Sequence, residues 1–253
     1  MRVAALYDVH GNLPALDAVL AEIAREPVDL VIVGGDVLPG PMPRAALDRL
    51  QALGGGARFI RGNGDRETLA EVEGRQAAMP DSMRHLLRWN RDQLTAPQVE
   101  AVGAWPPDVR LSMPGLGSVL FCHATPRNDE EIVTRLMSDD ILRPIFDGVA
   151  DLVVCGHTHM QFDRTAGATR VVNAGSVGMP FERPAGAYWL RLGPGVELRR
   201  TTYDVVAAAE AVRRTAYPGA EEFARVNLLE PPDMLEAFTR YGLSQFEGVA
   251  GGE

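Results

Sequence analysis

With 253 residues, 46% of them apolar and 23% charged, the chain has the make-up of a globular protein and the length of one large α/β domain. No apolar run is long enough to span a bilayer, and a formal charge of -9 argues against broad electrostatic binding to nucleic acid or an anionic membrane. Cys122 and Cys155 each end an apolar run, as small buried strand residues in a reducing compartment do, and the chain meets a polar motif at Asp8, too early for a signal peptide. A cytoplasmic protein is expected.

Residues 2–7 read as a buried strand that ends at Asp8-Val9-His10. Asn12 is a predicted N-cap and Pro14 lies in the first turn of a helix with Leu13, Leu16, Leu20 and Ile23 on one face. Leu30-Val31-Ile32-Val33 is a continuous apolar run, the pattern of a parallel strand covered on both faces, and Gly35-Asp36 follows it. Phe59-Ile60 precedes Gly62-Asn63-Gly64-Asp65. This β-α-β alternation predicts a parallel sheet with helices packed on it, and ligand sites in such sheets lie at the carboxyl ends of the strands.

Residues 81–94 are predicted helical, with Met83, Leu86, Leu87, Asn90 and Leu94 near one face, and Thr95 with Gln98 resembles a capping box. A hairpin around Pro114-Gly115-Leu116-Gly117 is expected across residues 111–121, just before Cys122-His123. Residues 129–149 are expected to be mostly helical. Gly156-His157-Thr158-His159 then follows the apolar run that ends at Cys155. Residues 161–162, 170–172, 187–192 and 196–202 read as strands separated by Gly-rich turns, which suggests a second sheet packed on the first. A single domain over residues 1–247 with a frayed tail at 248–253 is expected.

The polar motifs hold four of the five histidines and all sit at strand ends. Each alone has an ordinary reading: a turn for Asp-x-His, Gly-Asp or Gly-Asn-Gly-Asp, a satisfied core histidine for His123. A two-metal site accounts for all of them together. Asp8 and His10 can reach one cavity, Asp36 has two oxygens with which to bridge, Asn63 offers an amide oxygen, and His123, His157 and His159 offer imidazole nitrogens. Mixed nitrogen and oxygen ligation suits two divalent transition-metal ions (Mn, Fe, Zn, Co or Ni) better than Mg or Ca. Two such ions bring four positive charges; Asp8, Asp36 and a bridging hydroxide offset three, and the remaining charge attracts a phosphate diester monoanion. His85 lies inside a predicted helix without a ligand partner and is expected to be structural or exposed.

The series Asp8-Val9-His10-Gly11-Asn12, Gly34-Gly35-Asp36, Gly62-Asn63-Gly64-Asp65, His123 and Gly156-His157-Thr158-His159 resembles the calcineurin-like metallophosphoesterases. Asn173-Ala174-Gly175-Ser176-Val177-Gly178 resembles a segment of the small bacterial phosphodiesterase branch. The resemblance implies a four-layer αββα sandwich of two mixed β-sheets flanked by helices. It implies that Asp8, His10 and His159 hold one ion, that Asn63, His123 and His157 hold the other, and that Asp36 bridges. Asp36 and His123 are the expected catalytic residues.

Many members carry a histidine at the position of Gly64, where it helps protonate the leaving group. Without it, good leaving groups should be favoured, and a histidine restored at position 64 is expected to flatten the dependence on leaving-group pKa if its ring can reach the leaving oxygen. The arginine that follows the bridging aspartate in phosphoprotein phosphatases and symmetrical dinucleoside tetraphosphatases is missing, since Asp36 is followed by Val37-Leu38-Pro39-Gly40-Pro41. Arg66 and Arg127 are candidate phosphate contacts, with a surface role as the alternative, as for Arg164. Asp65 either orients a ligand histidine or fixes its own turn.

The expected function is therefore metal-dependent phosphoesterase, most of all phosphodiesterase, through attack of a metal-bridging hydroxide on a small phosphate ester or nucleotide. The alternatives are a phosphomonoesterase or dinucleoside polyphosphate hydrolase and, outside enzymes, a protein-binding scaffold on the same fold. No membrane partner and no broad nucleic-acid binding are expected; an oligomer is possible.

Overall fold

The structure, a computed structural model, describes residues 1–75 and 81–247. The expected tail at 248–253 lies outside the described residues.

Among the described residues, ten strands form two five-stranded mixed sheets. The first has the order β10-β9-β1-β2-β3, built from β1 (Val3–Leu6), β2 (Leu30–Val33), β3 (Ala57–Phe59), β9 (Ala187–Leu192) and β10 (Val196–Thr201). The second has the order β4-β5-β6-β8-β7, built from β4 (Asp108–Met113), β5 (Gly117–Cys122), β6 (Leu152–Cys155), β7 (Phe162–Ala166) and β8 (Thr169–Asn173). β1, β2 and β3 run parallel, as do β5, β6 and β8, so the carboxyl ends of six strands collect at one edge of the molecule. The hairpin of β4 and β5 is antiparallel, in register from Asp108–Cys122 to Met113–Gly117.

The two-residue period of a strand builds the layers. In and after β1, Val3, Ala5 and Tyr7 join the core between the sheets, with Phe121, Val154 and Val172 of the second sheet. Ala4 and Leu6 face the other way, onto α1 (Leu13–Arg25) and α2 (Pro43–Gln51). The chain then passes through α3 (Asn63–Val72), α4 (Asp81–Gln93) and α5 (Ala96–Gly103). On the far face of the second sheet, Leu120, Val153 and Val171 pack against α6 (Asp139–Phe146). A further cluster joins α7 (Val205–Arg213), the short α8 (Ala220–Glu222) and a π-helical turn (Phe223–Leu229) to Leu86 and Trp89 of α4. Finally α9 (Leu235–Glu247) lays Leu243 and Phe246 against the outer core. The layer order is helices, sheet, sheet, helices, as the resemblance implies.

Local chemistry sets the element ends. The Asn12 side chain accepts the Ala15 N–H at the start of α1, and Thr95 and Gln98 form a reciprocal capping box on α5. Two expectations are corrected. β9 and β10 do not join the second sheet: β9 runs antiparallel to β1, so they extend the first. Of the stretch expected to be helical across 129–149, only residues 139–146 are. The segment before it is held open by other bonds: the Glu130 carbonyl partners His157, and the Ile132 amide donates to Gln245 of α9. Among the described residues, no helix is long and apolar enough to cross a membrane.

Candidate metal centre

All seven ligand-type side chains meet at the edge where the parallel strands end. Asp8 and His10 follow β1, Asp36 follows β2, Asn63 opens α3 after β3, His123 follows β5, and His157 and His159 follow β6. Asp8, His10 and His159 form one cluster, and Asp8, Asp36 and His123 a second, with the ligand atoms of each within 4.8 Å of one another. Asp36 presents one oxygen 3.8 Å from His10 Nε2 and the other 3.5 Å from His123 Nε2. His123 Nε2 is 3.0 Å from Asn63 Oδ1, and the His157 ring stands 5.2 Å from that of His123. His85 is exposed on α4, away from this group.

The backbone shows how strongly these side chains are aimed. Among the described residues, the non-glycine positions with left-handed φ are Asp8 (54°), His10 (44°), Asp36 (51°), His157 (66°) and His159 (58°). Each is a ligand-type residue. Such conformations cost energy for residues with a Cβ, and they persist only where the surroundings enforce them.

Backbone amides and carbonyls do the enforcing. Asp65 accepts three backbone N–H groups: Leu38 at 3.0 Å, Asp36 at 2.9 Å and Gly62 at 3.1 Å. It therefore ties its own turn to the Asp36 loop, and its bonds run to backbone amides. Burial pushes its carboxyl up, the Asp36 charge adds to this, and the value reaches about 7. Asn173 donates to the Gly156 carbonyl at 2.6 Å, and Ser176 donates to the Asp8 carbonyl at 2.8 Å. The segment around residue 175 thus clamps the loops that carry Asp8 and His157.

Each of the four ligand-type histidines has one ring nitrogen on a backbone carbonyl. His10 Nδ1 lies 3.0 Å from Pro39 O, His123 Nδ1 2.9 Å from Gly34 O, and His159 Nδ1 2.7 Å from Met179 O. His157 uses its other nitrogen, Nε2, 3.2 Å from Glu130 O. A carbonyl only accepts, so each of these nitrogens carries the proton and the opposite nitrogen is turned to the centre.

Electrostatics follows from burial and crowding. Burial pushes the His10 imidazole down, with the nearby His159 adding to this, so it is held neutral. Burial, then His123, lowers His157 to about 4. Burial would also neutralise His123, but Asp36 beside it, with Asp8, raises it to about 10. In return His123, by charge and by hydrogen bond, overcomes the burial of Asp36 and holds that carboxyl well below the usual range.

The residues fit a bound cation. His10 Nε2 and His159 Nε2 face each other at 3.3 Å, although both rings keep their proton on Nδ1. Neutral rings would there oppose two lone pairs. Asp8 Oδ1 adds a third acceptor, 3.4 Å from His159 Nε2, and it is buried without a hydrogen-bond partner among the described residues. A cation satisfies all three; the donor set of imidazole and carboxylate is that of a transition-metal site.

The loop after Asp36 corrects the expectation for position 64. A Cβ on Gly64 would lie 2.4 Å from the Leu38 carbonyl oxygen and 3.0 Å from Pro39 Cδ. The Gly64 amide meanwhile donates to Asp36 Oδ1 at 2.7 Å. The loop after Asp36 thus closes over the place a side chain would need, and a histidine cannot be restored there without moving backbone.

Residues 1–191 match the family model described as the calcineurin-like phosphoesterase superfamily domain. The chain belongs to that superfamily. This calcineurin-like chain is 22% identical over 235 residues to an uncharacterized protein of Methanocaldococcus jannaschii, covering 85% of the chain and 93% of that relative. Its fold is similar to that of a metallophosphoesterase from Sphaerobacter thermophilus, with a TM-score of 0.71 at 23% identity over 91% of this chain and 98% of the other. It is similar also to a hypothetical protein from Pyrococcus horikoshii OT3, with a TM-score of 0.76 at 19% identity over 91% and 99%.

Two cavities flank the ligand residues of this calcineurin-like site. One, of about 340 Å³, reaches His123 and is lined by Arg66 and Arg127. Arg66 is bound by Asp129 at 2.8 Å, Glu130 at 2.5 Å and Glu67. Arg127 pairs with Glu131, and Arg164 is held by the Met137 carbonyl at 2.6 Å and by Asp139. The other cavity, of about 260 Å³, reaches His10, Asp36 and Asn63, and its far walls include Tyr217 and Phe223. Sequence reasoning missed those walls, because no motif marks the segment that follows α7.

Proposed function

We propose that the chain is a metal-dependent hydrolase of phosphate esters, with phosphodiesters, either small molecules or nucleotides, as its main substrates. In this reading two divalent transition-metal ions are held, one by Asp8, His10 and His159, the other by Asn63, His123 and His157, with Asp36 between them. The observation that carries it is the facing pair of His10 and His159 nitrogens with the unpartnered Asp8 oxygen beside them. Bound divalent cations supply charge neutralisation for a phosphoryl group and activate water near neutral pH.

The chain's own groups set up that chemistry. Four backbone carbonyls fix the ring tautomers, so no histidine has to reorganise on loading. Asp36 is catalytic as the carboxylate placed between the clusters, and His123 as its neighbour, which gives up its charge to become a ligand. Asp8 and Asp36 are the two carboxylates of the set, so a filled site keeps positive charge, which suits a singly charged diester. A thiol route has no support: burial pushes Cys155 up to about 12 and raises Cys122 well above the usual thiol range. Of the two candidate phosphate contacts, Arg127 is held by one carboxylate residue and Arg66 by three. Arg127 is therefore the easier to redirect toward a phosphate.

The test is elemental analysis of the purified protein, followed by a panel of aryl and nucleotide mono- and diesters assayed after chelation and after Mn²⁺ is restored. Hydrolysis lost on chelation and regained with metal supports the reading. Full activity in metal-free protein would end it.

A further inference from the structure

The cavity of about 260 Å³ beside His10, Asp36, Asn63 and Gly64 changes character within one side chain's length of the ligands. Away from the ligands its larger apolar walls come from Met83 and Leu86 of α4, Met179, Tyr217 and Phe223, with Glu222 and Asn227 as the polar ones. Among the described residues, no arginine or lysine lines it. Apart from the ligand-type residues, the one charged residue that lines it among the described residues, Glu222, is paired with Arg225 at 2.9 Å. A second phosphate would find no cation there.

The walls are built, and one of them, Met179, is also tied to a metal-ligand residue. Met83 and Leu86 are three apart on α4, so they share a face; Leu86 packs at the edge of the cluster around Tyr217 and Phe223, and neither is fully buried as Leu87 is. Met83 is 41% exposed and Leu86 half-buried, which leaves both side chains to the cavity. The Tyr217 ring is fixed between Trp89, 5.2 Å away, and Phe223, 6.3 Å away, both edge-on. Met179 contributes a side chain to the cavity while its carbonyl holds the His159 ring. Phe223 and Asn227 both reach the cavity from the π-helical turn, a local widening that recurs at functional sites. Flexible methionines and fixed aromatic rings together accept flat or chain-like apolar groups.

We propose that this chamber receives an apolar organic group, a single ring system or short alkyl chain, of the phosphate ester whose phosphoryl group sits at the metal centre. The proposal rests on the phosphoesterase reading and narrows its substrate class. The chamber is at the small end of ligand pockets, so it takes one such group and not a second nucleotide.

The test is calorimetric binding of a phosphonate series to the Mn²⁺-loaded protein: methyl, butyl, hexyl, phenyl and naphthyl, with a carboxylate-ended alkyl phosphonate as the charged control. Affinity should rise about three- to fourfold for each methylene placed in the chamber, then stop when it is full, and the charged control should gain nothing. The double variant Met83→Glu/Leu86→Gln, which touches no ligand residue, should flatten the series while methylphosphonate binding stays within about twofold. A flat series in the unmodified protein overturns the proposal, as does a steep series that the variant leaves unchanged. The phosphoesterase reading is judged separately, by metal content and turnover of the smallest aryl diester. Turnover with a flat series discards the chamber alone, whereas neither metal nor turnover discards both.

Discussion

Replacing Gly64 by alanine should damage this protein well beyond the size of one methyl group. The new Cβ would stand 2.4 Å from the Leu38 carbonyl oxygen, where an ordinary carbon–oxygen contact is about 3.3 Å, so roughly 0.9 Å of movement is required. The loop that must move is tied down at several points. Leu38 N donates to Asp65, Gly11 N donates to Val37 O at 2.9 Å, Gly40 N donates to Asn90 at 3.0 Å, and Pro39 O holds the His10 ring. If two of these bonds are lost at about 1 kcal/mol each, with about 1 kcal/mol of overpacking, the cost is about 3 kcal/mol. For a chain of this size that lowers Tm by about 6–12 °C. Because Pro39 O sets the His10 tautomer, metal affinity should also fall by about tenfold or more. Thermal unfolding of chelator-treated protein and a Mn²⁺ titration measure the two effects. A Gly64→Ala protein with Tm within about 2 °C of the parent and unchanged metal affinity would falsify the packing argument, since it would show that the loop yields freely.

Three further outcomes are expected. Asp36→Asn should lower kcat/KM by at least about a hundredfold, since even outer-shell partners of a metal cost up to that much, while His85→Ala, exposed on α4, should change it by less than about twofold; equal losses would show that the histidines are wrongly assigned. Metal binding at pH 7–8 should release about one proton, because His123 is raised to about 10 in the metal-free protein and must be neutral to ligate, so apparent affinity should climb as pH rises toward 10; calorimetry in buffers of different ionisation enthalpy counts the proton, and no release contradicts the His123–Asp36 pairing. With glycine at position 64, kcat/KM across aryl diesters should fall steeply as leaving-group pKa rises; a flat series with chemistry rate-limiting would reveal another proton donor.

The site was more legible in the sequence than the fold around it. A short apolar run followed at once by Asp, His or Gly-Asp is a local signal, and six parallel strands that end at one edge convert local signals into one centre. Sheet membership is not local: β9 reads as a good strand anywhere, and only its pairing of Leu190 with Ala5 assigns it to the first sheet. The stretch before α6 has helical composition, but its backbone is used on His157 and α9, a tertiary demand that overrides propensity. Met83 and Leu86 have the spacing of core residues, and that spacing cannot tell a core from a cavity wall. Gly64 was visible as a missing histidine, while its cause, the Leu38 carbonyl, lies in a loop many residues earlier.

The five left-handed ligand residues have an evolutionary consequence. At about 1 kcal/mol each, they hold roughly 5 kcal/mol of conformational strain, a sum comparable to the whole net stability of many proteins. Glycine at any one of them relieves part of that strain and removes a ligand in the same stroke. A laboratory screen that rewards thermal resistance alone should therefore enrich inactive variants, and the mutations should gather at Asp8, His10, Asp36, His157 and His159. Under relaxed selection, heat tolerance and loss of the proposed chemistry would drift in together.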